Sequence, residues 1–539
     1  MTGADILIRS LKAQNVRCIV GMPGNQNIDI YDALLRTGGI DHYLIRNEQG
    51  ATLIANGFAR ASGEVGVALT VPGPGAANAS TGIVDAHTDC VPVLLITGGT
   101  EVAFNGRDRS KCFHGLDQAA FFAPITRFFA RPERIEDIPD AVRGAFAALR
   151  APRPGPAVIE LPMDVAAAKG EAHVPSYVEG NRPAPDPADL RRVADVIARM
   201  ERPAILTGGN TADANASSEL RAFSEALGAP VLFSRLGKGV FPDSHPLSAG
   251  HCRARLAKNV LRRSDGLIAV GCRFTQIDTS GWTMEMPSLR VQLDPDPAEL
   301  GREITIDAGA TGDVRQSLPS LLEVLDETEK PVSAWKETLD RARGEIALSR
   351  RPLPIMSAMR AGLDAHAIVS VDVTSIGYRS FDEFPVEHPR CFMYPCHSVT
   401  LGFAAPAAIG AKLAQPHRQV AAFCGDGGFQ MTAFELATAA EHGIEIICVV
   451  INDGSLSAIR GAQAKAFNGR TIDTDMQTPR IADLARSMGA RGVRVDDPDR
   501  FPVVFADVVG LEGPTVIEVV MQKQRDALIR QVPWLYPDQ

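Results

Sequence analysis

Short apolar runs alternate with helical patterns along the chain. "RCIVG" gives way to "NIDIYDALLRTG", "HYLIRNE" to "GATLIANGFARASG", and "VGVALTVPGPG" follows. Brief β-branched runs closed by glycine or proline predict strands, and apolar positions three and four apart predict helices. Their alternation predicts the α/β class, with parallel sheets covered by helices. The opening "MTGADILIRSLKAQNVRCIVG" reads as an amphipathic helix and then a strand, not as a signal peptide.

Two stretches rich in proline, glycine and charge interrupt this rhythm: "EAHVPSYVEGNRPAPDPADL" (171–190), and a run from "ETEKPVSAWKE" to "SRRPLP" (327–354). As linkers they leave three consecutive domains, 1–175, 186–328 and 350–539, each expected to be a mostly parallel sheet flanked by helices. A length of 539 residues suits three domains of about 100–200 residues. The −9 net charge argues against a broad nucleic-acid surface. No apolar run reaches the roughly 20 residues that span a bilayer. The nine cysteines are scattered without a C-x-x-C pair. Cys18, Cys90, Cys272, Cys424 and Cys448 sit in apolar stretches, as reduced core residues of a cytoplasmic protein would.

One segment carries chemistry. "AAFCGDGGFQ" (421–430) runs an apolar strand into glycines that flank Asp426. "FQMTAFELATAAEHG" follows as one helix of some 13 residues, about 20 Å long. "IEIICVVI" then returns as an eight-residue strand of about 26 Å, closed by "NDG". A right-handed crossover brings the second strand back parallel to the first. Asp426 and Asn452 should therefore share the carboxyl edge, where open α/β sheets bind ligands. Oxygen-bearing side chains there suit Mg²⁺, and the glycines let N–H groups approach a phosphate. A lone Gly-Asp-Gly is more often a helix cap and a turn, but the matching Asn-Asp-Gly weakens that reading.

"GDGGFQ…VINDG" resembles the signature of thiamine-diphosphate enzymes of the acetolactate synthase and benzaldehyde lyase-like group. By this resemblance Asp426, the Asn452 side chain and the Gly454 carbonyl bind Mg²⁺. Gly425, Gly427 and Gly428 lie against the diphosphate, with Thr374 and Ser375 of "VDVTSIG" on the outer phosphate. "LIRNEQGATLIANGFARASG" resembles the group's "HEQGA…A.GYAR.SG", which makes Glu48 the carboxyl at the aminopyrimidine. A carboxyl that shares a proton with that ring promotes its imino tautomer, and the imine then deprotonates the thiazolium. Such a carboxyl needs a dry pocket. The alternative for Glu48 is a helix-terminal charge favoured by the macrodipole.

Further segments fit the resemblance. "TVPGPGAANASTGIVDAHTDCVPVLLITGG" places Pro72, Gly73 and Asn78 around the pyrimidine. "FHGLDQAAFFAPITR" places Gln118 where related carboligases carry an active-site glutamine, with His114 beside it. "TLGFAAPAAIGAKLA" places Leu401 as the wedge that bends the cofactor, and the Val399 carbonyl as acceptor for its amino group. The resemblance also implies a site shared between two copies, Glu48 from one and Asp426 from the other. A homodimer is then the minimum, and a homotetramer is common in the family.

The sequence departs from the family in places. Biosynthetic acetolactate synthases carry a tryptophan after the Asn motif, where this chain has Ala462. "AVGCRFTQIDTSG" keeps Arg273 but puts Thr275 and Gln276 where flavin-binding relatives have an acidic pair, which argues against FAD. "ILTGGNTADANASSEL" reads as a turn in a vestigial nucleotide fold. In "GMPGNQNIDIYDAL" the histidine of benzaldehyde lyase-like enzymes is absent, and Asn25, Gln26 and Asn27 are the nearby polar side chains. The tail "RQVPWLYPDQ" suggests a modest closure over the site.

The resemblance implies a decarboxylase/carboligase. It would form an enamine from a 2-oxo acid such as pyruvate and pass it to an aldehyde or keto acceptor. Alternatives are a lyase of 2-hydroxy ketones or 2-hydroxyacyl-CoA, and a non-catalytic relative that binds cofactor structurally. The last would have lost Glu48 or Asp426, and both are present.

Overall fold

The computed structural model describes residues 1–326, 335, 339–340 and 353–521. The tail 530–539 and most of the 327–354 linker lie outside them. The chain divides into two compact units. The first takes in residues 1–180, 368–375 and 398 onward; the second takes in 181–367 and 376–397. Among the described residues no helix is long and apolar enough to cross a membrane.

The first unit holds two sheets. One comprises β1 (Cys18–Gly21), β2 (Asp41–Leu44), β3 (Gly66–Thr70), β4 (Val93–Gly99), β5 (Phe128–Ala130) and β6 (Ala157–Pro162). Its order is β2-β1-β3-β4-β6-β5, parallel throughout. The second unit has its own parallel sheet, from β7 (Pro203–Thr207), β8 (Val231–Phe233), β9 (Ser248–His251), β10 (Gly266–Val270), β11 (Leu289–Asp294) and β12 (Ala308–Thr311). These run β12-β11-β10-β7-β8-β9. The two-residue β14 (Phe392–Met393) also falls among this unit's residues.

The first unit's other sheet contains β13 (Ile368–Val371), β15 (Val420–Gly425), β16 (Ile447–Asn452), β17 (Arg491–Val495) and β18 (Thr515–Val520). Here the order is β13-β15-β16-β18-β17, again parallel. The α/β class with three helix-flanked parallel sheets is thus as expected, although the first and last sheets share one compact unit.

Two local expectations need correction. The stretch after Gly428 is two helices, Asp426–Thr432 and Glu435–Glu441. Between them Leu436 and Ala437 donate to Ala433 and Phe434, three residues back, so the turn is tighter than α. The following strand begins at Ile447, not Ile444. The Ile444 N–H closes the preceding helix on the Ala439 carbonyl at 2.8 Å, past Gly443 in the left-handed region (φ +60°).

Two helices join the first unit's sheets. Glu48–Ser62 packs on Ala404–Ala414 backbone to backbone. A Cβ at Gly57 would lie 2.1 Å from the Ala407 carbonyl oxygen, and one at Gly410 would lie 1.9 Å from that of Ile54. Beside this contact Arg60 pairs with Asp85 and Asp89 at 2.9 and 2.7 Å, all three nearly closed to solvent. Burial raises the Asp85 carboxyl, and the Arg60 charge opposes that shift. Ser398 donates to Asp85 at 2.5 Å, which ties the loop before Val399 to the same cluster.

Gly410→Val puts branched carbons where backbone now sits. The substitution should cost at least about 1–3 kcal/mol, the usual cost of overpacking. Urea unfolding of this variant should show a lowered midpoint; an unchanged midpoint would mean the helices do not approach this closely.

Candidate active site

β15 and β16 pair in parallel with Gly425 opposite Ile451, so Asp426 and Asn452 emerge together at the carboxyl edge. Asp426 is only 2% exposed. Its Oδ1 accepts from the Gly427 N–H and its Oδ2 from the Gly454 N–H, each at 2.9 Å. Burial and the charge of Asp453 push its carboxyl up to about 7 against those bonds. Asn452 donates from Nδ2 to the buried Glu518 at 2.8 Å, which fixes the amide and frees Oδ1 for the site. Thr478 Oγ1 bridges the pair, 3.1 Å from Asn452 Oδ1 and 3.4 Å from Asp426 Oδ2. The Gly454 carbonyl accepts from the Met476 N–H at 2.8 Å, and its second lone pair remains. A carboxylate, an amide oxygen and a carbonyl are hard oxygen donors of the kind Mg²⁺ takes. The residues therefore fit Mg²⁺.

The glycines are demanded by crowding. A Cβ at Gly427 would lie 2.9 Å from Leu456, and one at Gly428 2.8 Å from Asp372 Oδ2. Asp372 follows β13 directly and is fully buried. It accepts from the N–H of Val373 at 2.8 Å and of Gly402 at 3.1 Å. Burial pushes this carboxyl up to about 7, opposed by those N–H bonds and by Phe403 and Ala404. One side chain so joins three expected cofactor segments: Thr374–Ser375, Val399–Leu401 and Gly427–Gly428. Thr374 lies 3.0 Å from a Cβ placed on Gly425. Val399 holds φ +53° and Gly402 φ +79°, a sharp turn that leaves Leu401 half-buried.

The other half forms at the carboxyl edge of the first sheet. Glu48 opens its helix, 8% exposed, after Asn47 caps the Gln49 N–H at 2.9 Å. Asn78 donates to Glu48 Oε2 at 3.0 Å, and a Cβ at Gly75 would lie 3.1 Å from Oε1. Pro72 and Gly73 form the turn after β3. A Cβ at Gly73 would meet the His114 carbonyl at 2.8 Å, so this turn and the His114 loop are in contact. His114 holds φ +52° and stacks on Phe113, and its Nδ1 is buried without a partner. Gln118 is buried and committed to the scaffold. Its Nε2 donates to the Gly98 carbonyl at 3.1 Å, and its Oε1 accepts from Thr97 at 3.0 Å. Asn27 is likewise taken up by its own turn, through Gly24 and Met22. Gln26 donates to the Phe113 carbonyl at 3.1 Å and keeps a buried, unpartnered Oε1.

The expected residues thus gather in two clusters within one unit, and no hydrogen bond joins Glu48 to Asp426. Asp372, Thr478, Glu518 and Glu435 were not anticipated. Asp372 follows an apolar strand just as Asp426 does, and that signal could have found it. Thr478 carries no such mark.

In the second unit Thr275 donates to Asp278 at 2.8 Å and lies 3.1 Å from His397 Nε2. Burial raises the Asp278 carboxyl, but hydrogen bonds from His251 and His397 outweigh it and hold it well below the usual range. His251, Cys252 and Asp278 lie within 4.8 Å of one another. The carboxylate already serves Thr275 and the Arg235 N–H, and the thiol donates to the Asp278 carbonyl. Gly208 and Gly209, in the turn after β7, are required by the Gly271 carbonyl and Leu236.

Three regions of the chain match family models of the thiamine pyrophosphate enzymes. Residues 1–121 match the N-terminal TPP binding domain, 190–321 the central domain and 372–519 the C-terminal TPP binding domain. The chain is 32% identical to the probable acetolactate synthase large subunit of Methanocaldococcus jannaschii, over 97% of this chain and 92% of that protein. It is 34% identical to the acetolactate synthase large subunit of Corynebacterium glutamicum, over 97% and 87%. Against the acetolactate synthase isozyme 3 large subunit of Escherichia coli the identity is 31%, over 92% and 90%.

Proposed function

We propose, from the premise that this chain belongs to the thiamine pyrophosphate enzymes, that it is a Mg²⁺-dependent carboligase of the acetolactate synthase type. It takes a 2-oxo acid such as pyruvate, releases CO₂, and passes the remaining unit to an aldehyde or keto acceptor. The observation that carries this reading is the presence of both clusters, Glu48 with Asn78 and Asp426 with Asn452, at sheet edges of one folded unit.

Bound thiamine diphosphate supplies the electron sink for carbon–carbon cleavage and formation. The chain supplies grip, orientation and proton control. Asp426, Asn452 Oδ1 and the Gly454 carbonyl hold Mg²⁺, with Thr478 keeping the two side-chain oxygens together. Gly425, Gly427 and Gly428 admit the diphosphate, and Thr374 and Ser375 offer hydroxyls to its outer end. Val399 gives its carbonyl to the cofactor's amino group, and Leu401 supplies the wedge. Pro72 and Gly73 close on the pyrimidine. Asn78 occupies Glu48 Oε2, which leaves Oε1 to carry the proton shared with the ring. His114 stands on the substrate side, and Gln118 braces the end of β4 beneath it.

The working assembly is a homodimer or a dimer of dimers, with Glu48 of one copy facing Asp426 of another. Exposed apolar side chains next to His114 and Glu435 support this: Phe113 is 62% exposed and Phe434 56%. A reducing compartment such as the cytoplasm suits nine cysteines that form no disulfide among the described residues.

Incubation with thiamine diphosphate, Mg²⁺ and a panel of 2-oxo acids, with and without aldehydes, should consume pyruvate and yield acetolactate or acetoin. Inertness toward every 2-oxo acid, with cleavage of benzoin or an acyl-CoA instead, would overturn the donor class. Glu48→Gln should lower turnover by about 10²–10⁴-fold, the range of a lost proton-transfer group, with an unchanged circular dichroism spectrum. Full activity in that variant would remove Glu48 from the chemistry. Asp426→Ala should release cofactor on dialysis in the presence of Mg²⁺. Undiminished retention would refute the metal assignment.

A further inference from the structure

Glu435 is a carboxylate that the proposed chemistry does not use, and it is 1% exposed. Such a group is costly to bury unless its oxygens are hydrogen-bonded. Here the donors are the backbone N–H groups just before Glu48. The Arg46 N–H reaches Oε1 at 3.1 Å and Oε2 at 3.3 Å, and the Asn47 N–H reaches Oε1 at 3.0 Å. Thr438 Oγ1 lies 2.8 Å from Oε2 and 3.0 Å from the carbonyl of Leu44, the last residue of β2. Gly50 makes the room, since a Cβ there would lie 2.3 Å from Oε1. Burial raises the Glu435 carboxyl, and Thr438, the two N–H groups and the Arg46 charge oppose it. Outside this core Arg46 pairs with Glu441 at 2.5 Å.

We infer that Glu435 is a positioning residue for Glu48: it clamps the two peptide groups on which Glu48 stands and so fixes where the Glu48 carboxyl points. Asn78 holds one oxygen of that carboxyl, but a side-chain bond cannot set the Cα beneath it. Three features serve the clamp together: the buried acid, the Thr438 hydroxyl, and the missing side chain at Gly50. A negative group at the start of the Glu48–Ser62 helix is also favoured by the helix dipole. Misplacing a reacting group by about 1 Å can cost about 10²-fold in rate. The inference rests on the reading of Glu48 as the proton carrier.

The test uses holoenzyme with thiamine diphosphate and Mg²⁺. Hydrogen–deuterium exchange at the thiazolium C2 of the bound cofactor, followed by NMR after acid quench, reads the step that Glu48 serves. Glu435→Gln turns an amide N–H₂ toward backbone donors, and Gly50→Ala drives the carboxylate off from the other side. Both should slow exchange and kcat together by at least about tenfold, with cofactor affinity held within about threefold. Glu441→Ala, which removes only the outer ion pair, should exchange at the wild-type rate. Wild-type exchange in Glu435→Gln or Gly50→Ala holoenzyme, while Glu48→Gln has lost it, overturns the clamp alone. Wild-type exchange in Glu48→Gln overturns the reading of Glu48 and the clamp with it. Should Glu435→Gln fail to fold, Gly50→Ala carries the same decision.

Discussion

The first unit depends on one contact, the crossing of Glu48–Ser62 with Ala404–Ala414. Gly57 and Gly410 bring the two backbones together where any side chain would collide. Packing this close leaves no slack, so what the helix starts carry is fixed as well. One start presents Glu48, and the other follows the Val399–Gly402 turn. The Arg60, Asp85 and Asp89 cluster locks the same region and reaches Ser398, next to Val399. Charges so buried add little net stability, yet they are costly to disturb, and that resists rearrangement.

A second constraint is electrostatic. Buried carboxylates at strand and helix ends accept backbone N–H groups, and each uses that demand to hold a loop. Asp372 holds the turn at Gly402, and Glu435 holds the segment before Glu48. Asp426 differs in its causes: burial raises its carboxyl and the charge of Asp453 adds to that, while the Gly454 and Gly427 N–H groups and Thr478 oppose. Residues 426–435 carry such a carboxylate at each end, Asp426 at the strand edge and Glu435 against the segment before Glu48.

Much of this was legible in the sequence because the signals were local. Strand, glycine turn and helix stand in succession around Asp426 and again around Asn452, and parallel pairing brings them to one edge. Glu48 stood out only through the resemblance of its segment to the family's pattern; by position alone it reads equally as a charge at a helix start. What the sequence hid depends on partners far along the chain. The stretch after Gly428 has the composition of one helix, but it must satisfy two anchors. Thr432 Oγ1 binds the Gly402 carbonyl at 2.8 Å, while Glu435 turns to Arg46 and Asn47. The two helices meet between these anchors. Glu435 itself reads as an ordinary helix former until the facing N–H groups are known.

The same distinction orders the polar side chains of the Asn27 turn and the His114 loop. Asn27 and Gln118 look like substrate contacts in one-letter form. Both are consumed by the chain, Asn27 in its own turn and Gln118 between Thr97 and Gly98. Gln26 and His114 differ, since each keeps a buried polar atom, Oε1 and Nδ1, without a partner among the described residues. An unpaired polar atom in a dry pocket is costly unless a ligand or water completes it. Gln26 binds the loop that carries His114 through the Phe113 carbonyl, so these two open valences are held in fixed relation. Among the described residues, the buried polar atoms left open in this turn and loop are therefore one amide oxygen and one imidazole nitrogen, fewer than the cluster of amides in the sequence suggests.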